Sequence, residues 1–367
     1  MNKTFTYYIV LTFFILSVSE LNAQITKDST SNKVGLEGTS WFIFPFIYYT
    51  PETNWAFGAG GNVLFKIDPN SNPTNITASG YYTINDQFSL GATADIYSDK
   101  NKILYNLIFN FSNEFDYFYG VGPSTPDIQN NKYLQKNIFF DFKYQLEVFH
   151  DRFKIGGEYY YKNMAILDKM NNPILIKDTT GGDGGVTSGL GFLVNWDSRD
   201  NILAPSTGGY YQFNVTFYSK VFGSDFDFNQ YIFDFRRFLT ITTDHVFAIQ
   251  SYYQFDTGSP PFFNLPLLGG SSNMRGYIKG RYRDKHYYNL QAEYRISNLV
   301  WKFGVIVFGG VGDVSPEFGE FTITTIKPTY GFGIRYRLEE LEKLDLKMDI
   351  GWGDNSSGIY FGINQAF

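Results

Sequence analysis

Asn289-Leu290-Gln291-Ala292-Glu293-Tyr294-Arg295-Ile296 alternates polar and apolar side chains without a break. Successive side chains of a strand point to opposite faces, so Asn, Gln, Glu and Arg share one face and Leu, Ala, Tyr and Ile the other. One face wants water and carries charges of both signs; the other wants hydrocarbon. The same split recurs upstream, where Tyr231, Phe233, Phe235 and Leu239 alternate with Gln230, Asp234 and Arg236. It recurs again where Leu190, Phe192, Val194 and Trp196 alternate with Gly191, Asn195 and Asp197. A two-sheet sandwich also alternates, but its apolar face is rarely this aromatic.

Segments of this kind, about ten residues long and divided by turn residues, are the signature of a transmembrane barrel strand. They are read near 40–50, 54–67, 75–84, 87–97, 102–113, 133–148, 152–163 and 188–198. The second half adds 208–222, 227–242, 244–256, 286–296, 301–312, 328–338, 344–351 and 358–367. That makes sixteen, an even number as single-chain bacterial barrels require. The expected fold is therefore all-β: a 16-stranded antiparallel transmembrane β-barrel over residues 40–367, with a long extracellular loop folding into the lumen.

Composition agrees. The chain holds 38 Phe, 29 Tyr and 5 Trp, more rings than a soluble domain would easily bury, whereas a barrel places them on its lipid face and in girdles at the rims. No segment after the N-terminus approaches 18 uninterrupted apolar residues, so no transmembrane helix is expected. At the N-terminus, Lys3 precedes an apolar run from Tyr7 to Val18, and Leu21-Asn22-Ala23 has the form of a cleavage site before Gln24. Residues 1–23 read as a signal peptide, the alternative being an uncleaved anchor, for which the run is short. Polar residues 24–39 read as a short periplasmic stub, with no room for a separate folded domain.

With the N-terminus in the periplasm, connections after odd-numbered strands face outward. The long ones, 114–132, 164–187, 257–285 and 313–327, all fall there, while His150-Asp151, Thr243 and Ser297-Asn298 sit at tight turns on the other side. Gly181-Gly182-Asp183-Gly184-Gly185 reads as a flexible loop tip; it lacks the Lys-Ser/Thr and strand–helix context of a phosphate cradle.

The formal charge of −6 and the lack of a dominant basic patch argue against nucleic acid as a partner. With no cysteine, neither disulfides nor thiol chemistry are available. The histidines, His150, His245 and His286, lie near strand ends, and no metal-ligand spacing or serine elbow is present. An enzyme is the weakest functional class, and no cofactor or metal is expected.

Within 257–285, Pro260-Pro261 and Gly269-Gly270 lead to Met274-Arg275-Gly276-Tyr277. Here the chain resembles the BamA/TamA superfamily of outer-membrane assembly barrels, the bacterial surface antigen family, whose same loop carries a Val-Arg-Gly-Phe/Tyr motif at its tip. Met274 departs from the usual Val. Asp197-Ser198-Arg199-Asp200 with Pro205-Ser206-Thr207-Gly208-Gly209-Tyr210 resembles the family's turn between strands eight and nine, residues that equally suit an ordinary turn. Leu290-Gln291-Ala292-Glu293-Tyr294-Arg295 resembles its twelfth strand, whose inward Glu binds the loop arginine. The resemblance covers most of the chain from about 190 onward, and the half before it more weakly.

The resemblance implies a lock in which Arg275 pairs with Glu293, Gly276 lets the backbone turn and Tyr277 wedges against the wall. An arginine cannot shed its proton in a barrel, and its fork is best met by a carboxylate in a bidentate pair. The family's thirteenth strand adds a second carboxylate in Phe-x-Asp-x-Gly; here Phe308-Gly309-Gly310-Val311-Gly312 puts Gly310 in its place, leaving Asp313 as a compensating candidate of opposite strand parity. The resemblance further implies that clients enter the membrane at a loose seam between first and last strands. Pro45, in Trp41-Phe42-Ile43-Phe44-Pro45-Phe46-Ile47, suits an edge strand or a bulge, and both faces of this strand are apolar. The last strand, with Phe361 and Gly362 and ending at Phe367, resembles the signal by which barrels are themselves assembled, from which Gln365 departs.

The function implied is assistance to insertion or translocation of outer-membrane or surface proteins, from a bacterial outer-membrane location. Partners would be outer-membrane lipids and client proteins or a periplasmic partner. A plugged solute channel, or a structural barrel serving a separate periplasmic protein, are the alternatives.

Overall fold

A computed structural model describes residues 13–14, 39–50, 54–126, 131–175, 179–340 and 342–367. The expected leader and stub, 1–23 and 24–39, lie outside these residues but for Phe13, Phe14 and Thr39. Sixteen long strands are present among the described residues. The first eight are β1 (Ser40–Thr50), β2 (Asn54–Phe65), β3 (Thr74–Thr83), β4 (Phe88–Ser98), β5 (Ile103–Tyr117), β6 (Lys132–Glu147), β7 (Phe153–Asp168) and β8 (Gly184–Asp197). The rest are β9 (Gly208–Tyr218), β10 (Phe228–Thr242), β11 (His245–Gly258), β12 (His286–Val300), β13 (Phe303–Ser315), β14 (Lys327–Glu339), β15 (Leu344–Gly353) and β16 (Ser356–Ile363). Each pairs antiparallel with the next along the chain. Phe13 and Phe14 add a two-residue antiparallel ladder to Ile47 and Phe46 of β1.

The two faces have the polarity the alternation demands. On β12, Glu293 is 1% exposed and Leu290 36%. On β10, Asp234 is buried while Phe235 and Leu239 are exposed, and on β8 Asn195 is buried while Leu190 and Phe192 are exposed. Polar inside and apolar outside inverts the arrangement of a soluble protein and suits a barrel in lipid.

The sheet must curl. Flat strands about 4.8 Å apart would separate β5 from β14 by about 43 Å. Yet Arg283 Nη2 donates to the Tyr117 carbonyl of β5 (3.1 Å), while the Tyr277 hydroxyl donates to the Pro328 carbonyl of β14 (2.9 Å). Arg283 Nη2 also donates to the Gly280 carbonyl (3.5 Å). The three residues from Gly280 to Tyr277 span at most about 11 Å, so even with the Tyr277 side chain extended the bridge is shorter than the flat separation, and the sheet is curled.

Three expectations are corrected. First, β5, β7 and β8 extend into the expected loops 114–132 and 164–187, so Gly184 and Gly185 open β8. The glycine run is no free tip: a Cβ on Gly181 would lie 2.5 Å from Pro261 Cβ of the long loop. Second, β12 continues past Ser297-Asn298 through a register shift to Val300, moving the turn to Trp301-Lys302. Third, β16 stops at Ile363. Asn364 takes φ +65° and donates its N–H to the Asp345 carbonyl (2.7 Å), and the tail turns inward so that Phe367 is buried against Phe238 and Ala248. On β1, whose two faces are both apolar, Trp41, Ile43 and Ile47 are exposed, while Phe44 and Phe46 turn over Gly60 and Gly58, where a Cβ would strike their rings.

Candidate functional site

The loop between β11 and β12 is a pinched hairpin. Leu267–Leu268 pairs with Tyr282–Arg283, and Met274-Arg275-Gly276-Tyr277 lies between them at the tip. At its base Phe262 and Phe263 pack with Phe118, Tyr133, Met164 and Leu175 from the β5–β8 side. Lys162 Nζ donates to the Phe263 carbonyl at 2.7 Å, and Gly122 N–H to the Arg283 carbonyl at 2.9 Å. Toward the tip, Leu268, Met274 and Tyr277 cluster with Tyr287 and Val314 of β12 and β13. Burying these apolar side chains gives the loop one ordered position against the polar wall.

Arg275 is fully buried. Its Nη2 bonds Glu293 Oε1 of β12, and its Nη1 donates to Asp349 Oδ2 of β15 at 2.7 Å. The guanidinium carbon stands 3.6 Å from the centroid of the Phe308 ring, within range of the ring's negative face. The expected fork on Glu293 is thus divided between two carboxylates. Geometry explains the division: Glu293 already accepts Arg295 Nε at 2.7 Å on its other oxygen, so it has one oxygen to offer.

Asp349 also answers the missing carboxylate at Gly310. Asp313 does not: it holds Lys327 Nζ at 2.7 Å and the Thr325 hydroxyl at 2.5 Å, on the wall but away from Arg275. Its opposite parity on β13 foretold this. Asp349 escaped the sequence reading, although Asp345, Lys347 and Asp349 alternate with Leu346, Met348 and Ile350 and mark a polar face of β15. Asp349 is itself braced by Arg335 Nη1 at 2.5 Å.

The backbone at the tip is cut to fit. Gly276 has φ +112°, and a Cβ there would lie 2.5 Å from the Trp352 carbonyl carbon. A Cβ on Gly351 would approach the Arg275 carbonyl carbon to 2.8 Å, and one on Gly353 the Tyr277 ring to 2.5 Å. Gly276 N–H donates to the Tyr360 hydroxyl of β16 at 2.8 Å, and the Thr329 hydroxyl donates to the Arg275 carbonyl. Tyr277 OH accepts the Asp354 N–H at 2.8 Å while donating to Pro328. Met274 adopts φ +55°, a region that β-branched residues avoid, so the departure from Val matches the local backbone.

The expected seam residues fall in three places. Pro45 stands opposite Ala59 in a β1–β2 register that runs past it without a bulge. Phe361 of β16 pairs with Met348 of β15. Phe367 leaves the seam: Arg295 Nη2 donates to its carbonyl oxygen at 2.8 Å, and its ring lies 5.3 Å from the same guanidinium. Phe42 of β1 and Ile363 of β16 pack against one cluster with Leu64, Leu344 and Leu203, the last brought by the β8–β9 turn. In that turn burial works against the charge of Asp200, but the Ser206 hydroxyl and the N–H groups of Thr207 and Ser206 outweigh it and hold the carboxyl below its ordinary range. Among the described residues no cluster of His, Asp or Glu could hold a metal ion.

The chain resembles the crystal structure of BamA from Haemophilus ducreyi lacking POTRA domains 1–3, with TM-score 0.55 and 12% identity over 97% of this chain and 74% of that one. It also resembles CdiB from Acinetobacter baumannii, with TM-score 0.57 and 10% identity over 89% of this chain and 59% of that one. At such identities the likeness is one of fold. No curated protein matches in sequence. The profile of the Omp85 superfamily domain matches residues 57–367, from β2 to the C-terminus and including the Arg275 loop, and the chain belongs to that superfamily of outer-membrane β-barrels.

Proposed function

We propose that this outer-membrane barrel assists insertion or translocation of outer-membrane or surface proteins, with loop 259–285 held in its lumen as a plug. The observation that carries the reading is Arg275, fully buried between Glu293 and Asp349 on the inner wall. An isolated buried charge is costly, so a loop that carries one inward and finds two carboxylates there is built to be held. Superfamily membership supports the general role in outer-membrane protein biogenesis or transport. The plug leaves the β1–β16 seam as the place for a client, which would add its own strand to an edge and need no cofactor.

Photocrosslinking in cells tests this, with probes at Trp41 and Ile43 of β1 and Ile359 of β16, whose side chains are exposed. Transient adducts to many unfinished outer-membrane proteins are expected. One stable adduct, or lipid adducts alone, would remove the proposal. The second reading, a plugged channel, draws support from the polar inner wall, where Asn195, Gln250 and Gln291 are each buried. It requires that Arg275→Glu raise single-channel conductance without altering delivery of other outer-membrane proteins.

A further inference from the structure

On β10 the outward side chains Tyr231, Phe233, Phe235, Leu239 and Ile241 are broken only by Arg237. The ten residue steps between the ends, at about 3.3 Å each and tilted by about 40°, rise about 25 Å, the height of the apolar band on such barrels. Tyr231 therefore marks the edge of the band at the long-loop end. A girdle of rings stands there: Tyr231 and Phe255 stack with centroids 4.6 Å apart, and Phe255 and His286 at 5.5 Å. Tyr253, one outward position deeper on β11, lies 5.4 Å from Phe255 and 6.3 Å from Phe233.

The β13–β14 loop, residues 316–326, comes down onto this face. The Phe318 ring meets that of Tyr253 edge-on at 5.9 Å, across the intervening β12, and Phe321 lies 6.4 Å from Phe318. Phe318 nonetheless stays 71% exposed, and Ile323 89%. The loop holds its own shape. The Ser315 hydroxyl donates to the Glu317 carbonyl, the Glu320 N–H donates to the same carbonyl at 3.1 Å, and the Thr325 hydroxyl donates to Asp313 Oδ2 at 2.5 Å. Lys327 Nζ closes the stem on the Thr325 carbonyl at 2.5 Å. Large apolar side chains are thus fixed in the open by an ordered loop, an arrangement that water disfavours.

We infer that loop 316–326 dips into the outer leaflet and that its partner there is lipid hydrocarbon. Continuity carries this. Phe318 rests on Tyr253, which lies on the bilayer side of the girdle, so its open edge faces the space that acyl chains fill. The internal hydrogen bonds reduce the cost of taking the loop backbone out of water. Glu317 and Glu320, both exposed, flank Phe318, and an interfacial depth leaves their carboxylates in headgroup water while the ring enters the chains. The inference is independent of the role given to the Arg275 plug.

The chain has no cysteine, so one introduced thiol reports alone. Gly319→Cys suits the purpose, because an added Cβ there meets nothing within 4 Å and Phe318 and Ile323 stay in place. The full chain, labelled at that thiol with a polarity-sensitive fluorophore, is folded into phosphatidylcholine vesicles carrying a nitroxide near the top of one acyl chain. Nitroxide quenching is expected to be stronger than for the same label at Asp183→Cys, whose side chain is 95% exposed in the β7–β8 loop. Adding Phe318→Ser with Ile323→Ser should lower the quenching at least about fivefold, since burying one such side chain shifts an equilibrium by about tenfold or more. Retention of the heat-modifiable fast-migrating band shows that the variant is still folded. Equal quenching by aqueous iodide at 319 and 183, without nitroxide quenching, would place the loop in water and overturn the inference. Protection from both quenchers would place a protein surface, such as a second copy of this chain, over the loop and overturn it as well. Undiminished nitroxide quenching in the serine variant would show that Phe318 and Ile323 do not hold the loop in the leaflet.

Discussion

Asp349 Oδ2 lies 2.7 Å from Arg275 Nη1, although the two residues are 74 positions apart and the carboxylate arrives from β15. The relation turns a pair into a chain. Arg275 joins Glu293 to Asp349, Glu293 leads through Arg295 to the C-terminal Phe367, and Asp349 leads through Arg335 to Gln365. The loop tip and the end of the chain therefore belong to one charge network on the inner wall.

Asp349→Asn leaves Arg275 and Arg335 short of one charge in a buried setting. Breaking one side of such an arrangement costs about 3–5 kcal/mol where the partner stays buried. The urea midpoint of the barrel in micelles should fall accordingly; Asp313→Asn, which strands the buried Lys327, should lower it too but leave the loop protected from protease, because Asp313 bonds Lys327 and not Arg275. Equal loss of loop protection in the two variants would show that Asp349 is not the second carboxylate.

Charge reversal distinguishes a pair from a triad. Arg275→Glu combined with Glu293→Arg would restore a simple pair, yet here the new glutamate at 275 would face Asp349. The double variant should stay as defective in loop retention as Arg275→Glu alone, read as protease cleavage within 259–285 on intact cells. Adding Asp349→Asn should restore protection. Recovery in the double variant would mean that Asp349 does not hold the arginine.

Gly276→Ala tests the backbone fit. A Cβ there would meet the Trp352 carbonyl carbon at 2.5 Å, at a φ of +112°. Strain of this kind amounts to about 1–3 kcal/mol before the clash is counted. The loop should become protease-sensitive while the sheet keeps its far-ultraviolet circular dichroism. Gly319→Ala, with nothing within 4 Å of its Cβ, is the matched control and should change neither.

Sixteen strands were legible because the signal is local: polarity flips at every residue, as in Asn289 to Ile296, and a strand needs nothing else to declare its two faces. Arg275 and Glu293 were found through the resemblance carried by Met274-Arg275-Gly276-Tyr277 and Leu290-Gln291-Ala292-Glu293-Tyr294-Arg295, and the structure brings them together. Asp349 was missed because its parity shows that it faces inward but not which strand's neighbour it meets; that depends on where the loop tip settles. Phe367 was misplaced for a related reason. Its alternation with Phe361 and Ile363 extends the strand pattern, whereas Asn364 at φ +65° ends it, a turn that costs Asn little and that period-2 counting cannot see.

Phe367→Ala should loosen the inner wall and not the seam alone. The ring is buried against Phe238 and Ala248 and lies beside the Arg295 guanidinium. Removing a buried aromatic ring costs about 3–5 kcal/mol, so a large fall in the urea midpoint is expected for barrel that has been refolded from urea. Refolding in detergent separates stability from any loss of delivery in cells. A midpoint within error of the parent would place Phe367 outside the core.

Acid should act on the β8–β9 turn. Asp200 accepts from Ser206 N–H at 2.8 Å and Thr207 N–H at 3.0 Å, and these bonds hold its folded-state carboxyl below the ordinary range against the opposing effect of burial. A depressed folded value means stability that is fully present above the unfolded value, about 3.9, and lost as pH falls through the lower folded one. The parent's advantage over Asp200→Asn in unfolding midpoint should hold from pH 7 to 5 and shrink below about pH 4. Because Leu203 of the same turn packs with Phe42 of β1 and Ile363 of β16, probe mobility at the seam should rise over the same acid range in the parent. A constant difference between the two proteins down to pH 2 would show that the Asp200 charge does not hold the turn.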